Sequence, residues 1–228
     1  MISAQSRAES KSLEDDLLGP LMILTTTTGV VDAISFVGLG HVFTANMTGN
    51  VVFLGFALGG AEDLSIQRSL AALATFAIGA MVAGFVTNRP MIRTQKRQLA
   101  FGAGTEAALL AAAAAIAVGQ TPPLSSSLAY ALIVLTALAM GVRNAVVRKL
   151  GVADVTTTVL TLAITGLAGD APFVGGQGTR SGRKALSIAL MLIGALIGTM
   201  LFLNWGFTVP LALSAVLAST VVVATVRS

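Results

Sequence analysis

The sequence predicts an all-α polytopic membrane protein: a helical bundle of about six spans plus two interrupted or re-entrant segments, arranged as an inverted two-fold repeat. Hydrophobic residues make up 55% of the 228 positions and charged residues only 11%, whereas soluble domains carry about 25% charged residues. Several charge-free runs reach about 18 residues, the length that spans a bilayer. Two polar, Thr-rich runs open apolar segments at corresponding places in the two halves of the chain.

The first half of the chain is predicted at about 17–118, after a polar, acid-rich tail at 1–16 that we expect to be cytoplasmic. Its segments are a span at 17–39, an interrupted segment at 42–60, and full spans at 68–87 and 99–118. The tail lacks the basic region of a cleaved signal peptide, and the apolar run after it is too long for one. We therefore expect the first span to remain as a helix.

The second half is predicted at about 124–227, so that a single transmembrane domain covers 17–228. An uncharged loop at 119–127 separates it from the first half. Its segments are a span at 128–142, an interrupted segment at 152–169, and full spans at 185–203 and 208–226. Gly194 and Gly198 give the fifth full span, 185–203, a face of small residues, which favours close helix packing or self-association into a homo-oligomer.

The distribution of basic residues predicts the orientation. The loop at 89–97 carries four basic residues and no acid, so it should be cytoplasmic. If 42–60 and 152–169 each enter and return on one side, the basic loop at 170–184 and both termini are cytoplasmic too. Each half then crosses three times, which inverts the second half relative to the first. The alternative is eight full crossings with an external N-terminus, which leaves 170–184 on the wrong side.

The two interrupted segments are the first candidate site. Each is predicted to open a half-helix whose N-terminus lies near the bilayer centre, where free N–H groups and the helix dipole favour an anion or a carbonyl group. The residues concerned are Asn46, Thr48, Gly49 and Asn50 in the first half, and Thr157, Thr158 and Thr161 in the second. The alternative is that they are helix caps and packing contacts within full spans.

Buried charges are the second candidate. Asp32 shares one helical face with Thr25, Thr28 and Ser35, and a carboxylate within a span is costly unless it is neutral, paired or facing water. It is predicted to line a pathway with Thr28, the alternative being an interhelical hydrogen bond that locks packing.

Glu106 lies within another span, where it is either a proton site or a structural partner for Arg143, whose long side chain can reach inward. Arg143 and Asn144, which follow the span at 128–142, complete the predicted pathway.

Composition excludes several functions. With no Cys there are no disulfides, iron–sulfur clusters or thiolate zinc sites, and a single His argues against a His-based metal site. We therefore expect no metal and no cofactor. The net charge of +4 is explained by orientation in the membrane, so contact with lipid is expected and contact with nucleic acid is not.

The motifs Val31-Asp-Ala-Ile-Ser35, Thr44-Ala-Asn-Met-Thr-Gly-Asn50 and Gly141-Val-Arg-Asn144 resemble the YoaK-like family, small bacterial membrane proteins with a domain of unknown function. The run from Val155 to Leu167 fits the same pattern, although it has Val159-Leu-Thr-Leu162 where a Thr-Gly pair would match the first half. The resemblance covers nearly the whole chain. It implies a multi-pass protein of the bacterial inner membrane, and it supplies no substrate.

Three functions follow from these patterns. The favoured one is a transporter or channel for a small solute or ion, because irregular polar backbone at membrane depth requires surrounding protein or a water-filled cavity. The alternative is a non-transporting membrane subunit or sensor. An intramembrane enzyme is not expected, since it would need an activated nucleophile or a metal cluster.

Overall fold

The computed structural model describes residues 4–120, 122–151, 160–170, 175 and 181–227, which contain eight α-helices and no strand. The helices are α1 Ala4–Gly38, α2 Met47–Leu58, α3 Ile66–Thr87, α4 Gln95–Ile116, α5 Ser126–Leu150, α6 Leu160–Gly169, α7 Ser181–Trp205 and α8 Thr208–Arg227. Six of these are long and apolar enough to cross a membrane, whereas α2 and α6 are shorter apolar helices. The predicted polytopic helical bundle with six spans is confirmed.

Helix boundaries differ from the predicted ones in two places. The first helix begins at Ala4, inside the predicted tail, because residues 4–16 are mostly good helix formers. The fifth helix continues to Leu150 and ends at Gly151 in the left-handed conformation, a common helix stop. Arg143 and Asn144 therefore lie inside α5. Of the predicted segment 152–169, positions 152–159 lie outside the described residues.

Helices α1 and α7 pack closely and in parallel. A Cβ atom on Gly194 would collide with the backbone of Thr26, and one on Gly198 would lie 2.8 Å from the Cα of Val30. Because residue numbers rise together along both helices, the two run in the same direction. The pair Gly194 and Gly198 thus packs within the chain.

Helices α3 and α5 form a second parallel pair. A Cβ atom on Gly79 would lie 2.5 Å from the carbonyl oxygen of Leu138. At the C-terminal ends, Nζ of Lys149 donates hydrogen bonds to the carbonyl of Thr87 at 3.0 Å and to Oδ1 of Asn88 at 2.7 Å. Both pairs depend on glycine, since any side chain would hold the backbones apart.

Helices α4 and α8 are antiparallel and close the bundle. The hydroxyl of Thr208, at the start of α8, donates to the carbonyl of Ala117 just after α4, at 2.9 Å. Further along, Gly104 faces Val222. Helix α4 also packs on α5, and α8 packs on α1.

Most of the described basic residues lie at one end of the bundle, hereafter the basic end. The apolar part of α1 begins here, as do α4 and α7, whereas α3, α5 and α8 end here. Lys96 forms an ion pair with Asp16 at this end, at 3.7 Å. The residues at this end are Arg89, Arg93, Lys96, Arg97, Arg148, Lys149, Arg183, Lys184 and Arg227.

The opposite end joins α1 to α3. Nη1 of Arg68 donates to the carbonyl of Leu39 at 2.9 Å, and Nδ1 of His41 lies 3.3 Å from the carbonyl oxygen of Asp63. Because α1 ends where α3 begins, the segment that contains α2 leaves and returns to the same end.

Candidate functional site

The segment after α1 turns back along that helix and is held by Asp32. The backbone N–H groups of Thr44 and Ala45 donate to Oδ1 of Asp32 at 3.2 and 2.8 Å. Asp32 lies six residues, or about 9 Å, before the end of α1 at Gly38, so α2 begins at Met47 inside the bundle rather than at its end. From there α2 runs in the same direction as α1 and ends near Gly59, at the end opposite the basic one.

Asn50 and an aromatic cluster fix this hairpin. The side chain of Asn50 accepts a hydrogen bond from the N–H of Phe43 at 2.9 Å and donates one to its carbonyl at 2.6 Å. The ring of Phe43 stacks on those of Phe36 and Phe53, with centroids 5.1 and 5.6 Å apart. Gly49 is required beside it, because a Cβ atom there would lie 2.6 Å from the Phe43 ring. Asn50 is thus a structural residue of the hairpin.

A cavity of about 320 Å³ lies at the start of α2. Its walls come from α1, the turn before α2, α2 itself, α6 and α7. The lining residues are Thr28, Asp32, Ala45, Asn46, Thr48, Gly49, Val52, Phe53, Leu160, Thr161 and Met191. Six predicted site residues from both halves of the chain therefore meet at one cavity: Thr28, Asp32, Asn46, Thr48, Gly49 and Thr161.

Helix α6 reaches the cavity from the basic end. Thr161, near its start, lines the cavity, whereas Asp170, just after its end, pairs with Nζ of Lys184 at 2.8 Å. The described N-terminal ends of α2 and α6 thus meet at the cavity, and the two helices point to opposite ends of the bundle. Thr157 and Thr158, which were predicted to share this role, lie outside the described residues.

The cavity wall is polar where α1 faces it. The hydroxyl of Thr28 donates to the carbonyl of Leu24 at 2.9 Å, a bond within its own helix. Asp32 is 4% exposed, and its Oδ2 has no hydrogen-bond partner among the described residues. The first turn of α2 also receives no side-chain cap from Asn46. Unused acceptors and donors therefore surround the cavity.

The other predicted acid forms a separate buried pair. Nε of Arg143 lies 3.8 Å from Oε2 of Glu106, and both side chains are fully buried. Nη1 of Arg143 donates to the carbonyl of Leu24 at 2.7 Å. This pair ties α4, α5 and α1 together. Asn144, buried on α5, does not line the cavity.

Five cavity residues were not among the predicted site residues. Val52 and Phe53 follow Thr48 and Gly49 by one helical turn, so the helical period of α2 carried a signal for them. No pattern in the sequence indicated Met191, because its position beside α1 results from the packing of α7 on that helix. The remaining two, Ala45 and Leu160, are apolar neighbours of predicted residues.

Comparison of the chain with known proteins identifies a family. The family model described as "Protein of unknown function (DUF1275)" matches residues 20–224. The chain is 33% identical over 185 residues to the UPF0700 transmembrane protein YoaK of Bacillus subtilis (strain 168), covering 78% of this chain and 80% of the relative. These matches confirm the resemblance seen in the motifs. No solved structure matches the chain significantly.

Proposed function

The chain belongs to the DUF1275 family, a family of unknown function with a transmembrane relative, and on that premise we propose that it is a transporter or channel for a small solute. The binding site is the cavity between α1, α2, α6 and α7, with Asp32 as the acid that couples or gates passage. The observation that carries the proposal is that the described N-terminal ends of two short helices, α2 and α6, meet at a polar cavity inside the bundle. Non-helical backbone at membrane depth is stable only where protein surrounds it or where it lines a water-filled cavity, which supports a role for this cavity as an aqueous site.

Repetition in the helix packing supports an inverted repeat. In the α1–α7 pair, a methyl group on Gly194 would meet the carbonyl three residues before Gly29. In the α3–α5 pair, a methyl group on Gly79 would meet the carbonyl three residues before Gly141. Exchanging α1 with α5 and α7 with α3 converts one contact into the other. The same exchange relates the contact of α2 with α3 to that of α6 with α7.

The repeat makes Asn144 the counterpart of Asp32. Each follows its packing glycine, Gly141 or Gly29, by three residues and is buried on a span. One half of the proposed repeat thus carries an acid and the other a neutral amide. In the proposed mechanism, the charged group of the site is therefore Asp32, which lies in the first half of the repeat.

Orientation follows from the basic end. In a bacterial inner membrane the side rich in Lys and Arg faces the cytoplasm, which puts both termini inside. The loop with Ala61 and the start of α5 at Ser126 are then external, and Gly182, at the start of α7, is cytoplasmic. Helices α2 and α6 are half-helices that enter from opposite sides, as in many secondary transporters.

Cysteine labelling tests the topology, because the chain has no native Cys. Single variants Ala61→Cys, Ser126→Cys and Gly182→Cys are treated in intact cells and in inverted vesicles with a membrane-impermeant maleimide. We expect the first two to be labelled from outside and the third from inside. Labelling of position 182 from outside would contradict the inverted repeat and favour eight crossings.

A second labelling experiment tests the site itself. Thr48→Cys on the cavity wall should react with a charged methanethiosulfonate reagent if the cavity holds water, because the reacting species is the thiolate, which water stabilises relative to apolar surroundings. The matched controls are Ala139→Cys in the core and Val223→Cys on the outer surface of α8, which should not react. If position 48 is as unreactive as position 139 from both sides of the membrane, the cavity is not a water-filled pathway.

Passage of solute is tested by blocking the cavity. Proteoliposomes are challenged with a panel of probes (urea, glycerol, glycine and monovalent chlorides), and swelling is recorded by light scattering. Thr48→Trp should abolish any flux that the wild type shows, whereas Val223→Trp should not. Equal flux in both variants would remove the cavity from the pathway. Flux that survives Asp32→Asn unchanged would remove Asp32 from the mechanism.

A further inference from the structure

The two oxygens of the Asp32 carboxylate have different environments. Oδ1 accepts hydrogen bonds from the N–H groups of Thr44 and Ala45, whereas Oδ2 has no hydrogen-bond partner among the described residues, although Asp32 is only 4% exposed and lines the cavity. Resting on the site proposed above, we infer that the cavity binds a small monovalent cation, an alkali metal ion or a protonated amine, at Oδ2 of Asp32. A buried carboxylate oxygen without a donor is a costly feature, and a bound cation removes that cost.

The local arrangement disfavours an anion. The N-terminus of α2 is where backbone N–H groups could hold an anion, but the carboxylate of Asp32, bonded to the N–H groups of Thr44 and Ala45 just before that helix, would repel one. Among the described residues that line the cavity, no side chain is basic. The buried guanidinium of Arg143 is directed instead at Glu106 and the carbonyl of Leu24.

The remaining polar groups suit a cation with oxygen ligands. The hydroxyl of Thr28 uses its proton within α1, so its lone pairs stay available to the cavity. The side chains of Asn46, Thr48 and Thr161 supply further neutral oxygens around the same space. Hard cations prefer such ligands. One described carboxylate at the cavity balances one positive charge, which favours a monovalent ion.

The size of the cavity agrees with this ligand class. A water molecule occupies about 30 Å³ in the liquid, so 320 Å³ has room for an ion with several waters, or for a small amine. A purely structural role for Asp32 would need only Oδ1. Asparagine can supply that acceptor equally well, so Asp32→Asn separates the two roles.

The test uses purified full-length protein in detergent micelles. Thermal unfolding is recorded in NaCl, KCl or methylammonium chloride, against N-methyl-D-glucamine chloride at equal ionic strength. At a concentration a hundredfold above its Kd, a cation that binds only the folded state should raise Tm by about 5–10 °C. The shift should saturate with concentration and be absent from Asp32→Asn.

Two further variants keep the result interpretable. Asp63→Asn, the same change at the exposed loop, should retain the full shift. If Asp32→Asn does not accumulate, Asn46→Ala, which alters only the cavity wall, should need a higher cation concentration for the same shift. A shift with sodium or potassium identifies an alkali ion, and a shift with methylammonium alone identifies an amine.

Three outcomes would overturn the inference: no cation-specific shift, an equal shift in Asp32→Asn, or a shift that follows the anion when gluconate replaces chloride. The reactivity of Thr48→Cys then shows whether only the cation site fails or the proposed function fails too. If Thr48→Cys still reacts with the charged thiol reagent, the cavity is a water-filled site for a different class of ligand. If it does not react, the proposed function fails as well.

Discussion

The contact between α3 and α5 can be tested by adding one methyl group. In Gly79→Ala the new Cβ atom would lie 2.5 Å from the carbonyl oxygen of Leu138 and 3.0 Å from the backbone nitrogen of Val142. Both neighbours are backbone atoms of a helix, so neither can move alone. The two helices must therefore separate, or tilt, along their whole contact. Gly84 lies on the same helix, and a Cβ atom there would meet nothing within 4 Å.

The comparison of the two variants isolates the contact. Ordinary non-bonded separations are about 3.5–4.0 Å, so relief at Gly79 requires roughly 1 Å of displacement, enough to lose a quarter to a half of the dispersion energy of the neighbouring atom pairs. Overpacking of this kind costs about 1–3 kcal/mol. Replacing Gly by Ala favours a helix by about 1 kcal/mol, but that gain is common to both variants. Gly79→Ala should thus be less stable than Gly84→Ala by about 1–3 kcal/mol.

Reversible unfolding in mixed micelles of a mild detergent and SDS, followed by far-ultraviolet circular dichroism, measures this difference. Gly84→Ala should match or exceed the wild type in free energy of unfolding. Gly194→Ala, at the corresponding position of the α1–α7 pair, should lose as much as Gly79→Ala does. Equal stability of Gly79→Ala and Gly84→Ala would refute the close approach of α3 and α5. A loss at position 79 without one at position 194 would refute the equivalence of the two pairs.

Two other substitutions probe the buried polar groups. Arg143→Met leaves the carboxylate of Glu106 buried without its partner and should cost about 3–5 kcal/mol of unfolding free energy, part of which the double variant Glu106→Gln/Arg143→Met should recover. Wild-type stability of the single variant in the same unfolding assay would contradict the pair. Asn50→Ala leaves the backbone N–H and carbonyl groups of Phe43 without these hydrogen bonds, which should lower the free energy of unfolding by about 1–3 kcal/mol. A cysteine placed at position 45 should then react faster with a thiol reagent, and an unchanged rate would mean that Asn50 does not hold the hairpin.

The spans could be predicted from the sequence because the membrane imposes one local requirement. Any helix that crosses it needs about 20 consecutive apolar residues, and a run such as 68–87 meets that requirement without reference to the rest of the chain. The polar run at Thr44–Asn50 was equally visible, since it interrupts an apolar segment. The end of α5 was predicted too early, at 142, because Arg143 and Asn144 were taken to mark the end of a span. Burial against Glu106 and Leu24 keeps Arg143 inside the helix.

The candidate site was only partly visible in the sequence. Asp32 and Asn46 could be singled out because a charged or amide side chain is unusual in apolar surroundings. Asn50 was assigned to the pathway on the same ground, yet its side chain holds Phe43 and does not line the cavity. Local composition identifies polar residues within a span, but the packing of neighbouring elements determines whether each faces a cavity or a backbone group.

The sequence by itself determined the membrane setting, the number of long helices and the polar run that precedes α2, because these depend on hydrophobicity and helix propensity along contiguous residues. Only the tertiary structure decided which helices are neighbours. The pairing of α1 with α7, and of α3 with α5, depends on glycines far apart in the chain whose backbones must approach closely. That packing brings Thr161 to Asp32 and leaves Glu106 with Arg143, since the site forms where distant segments meet.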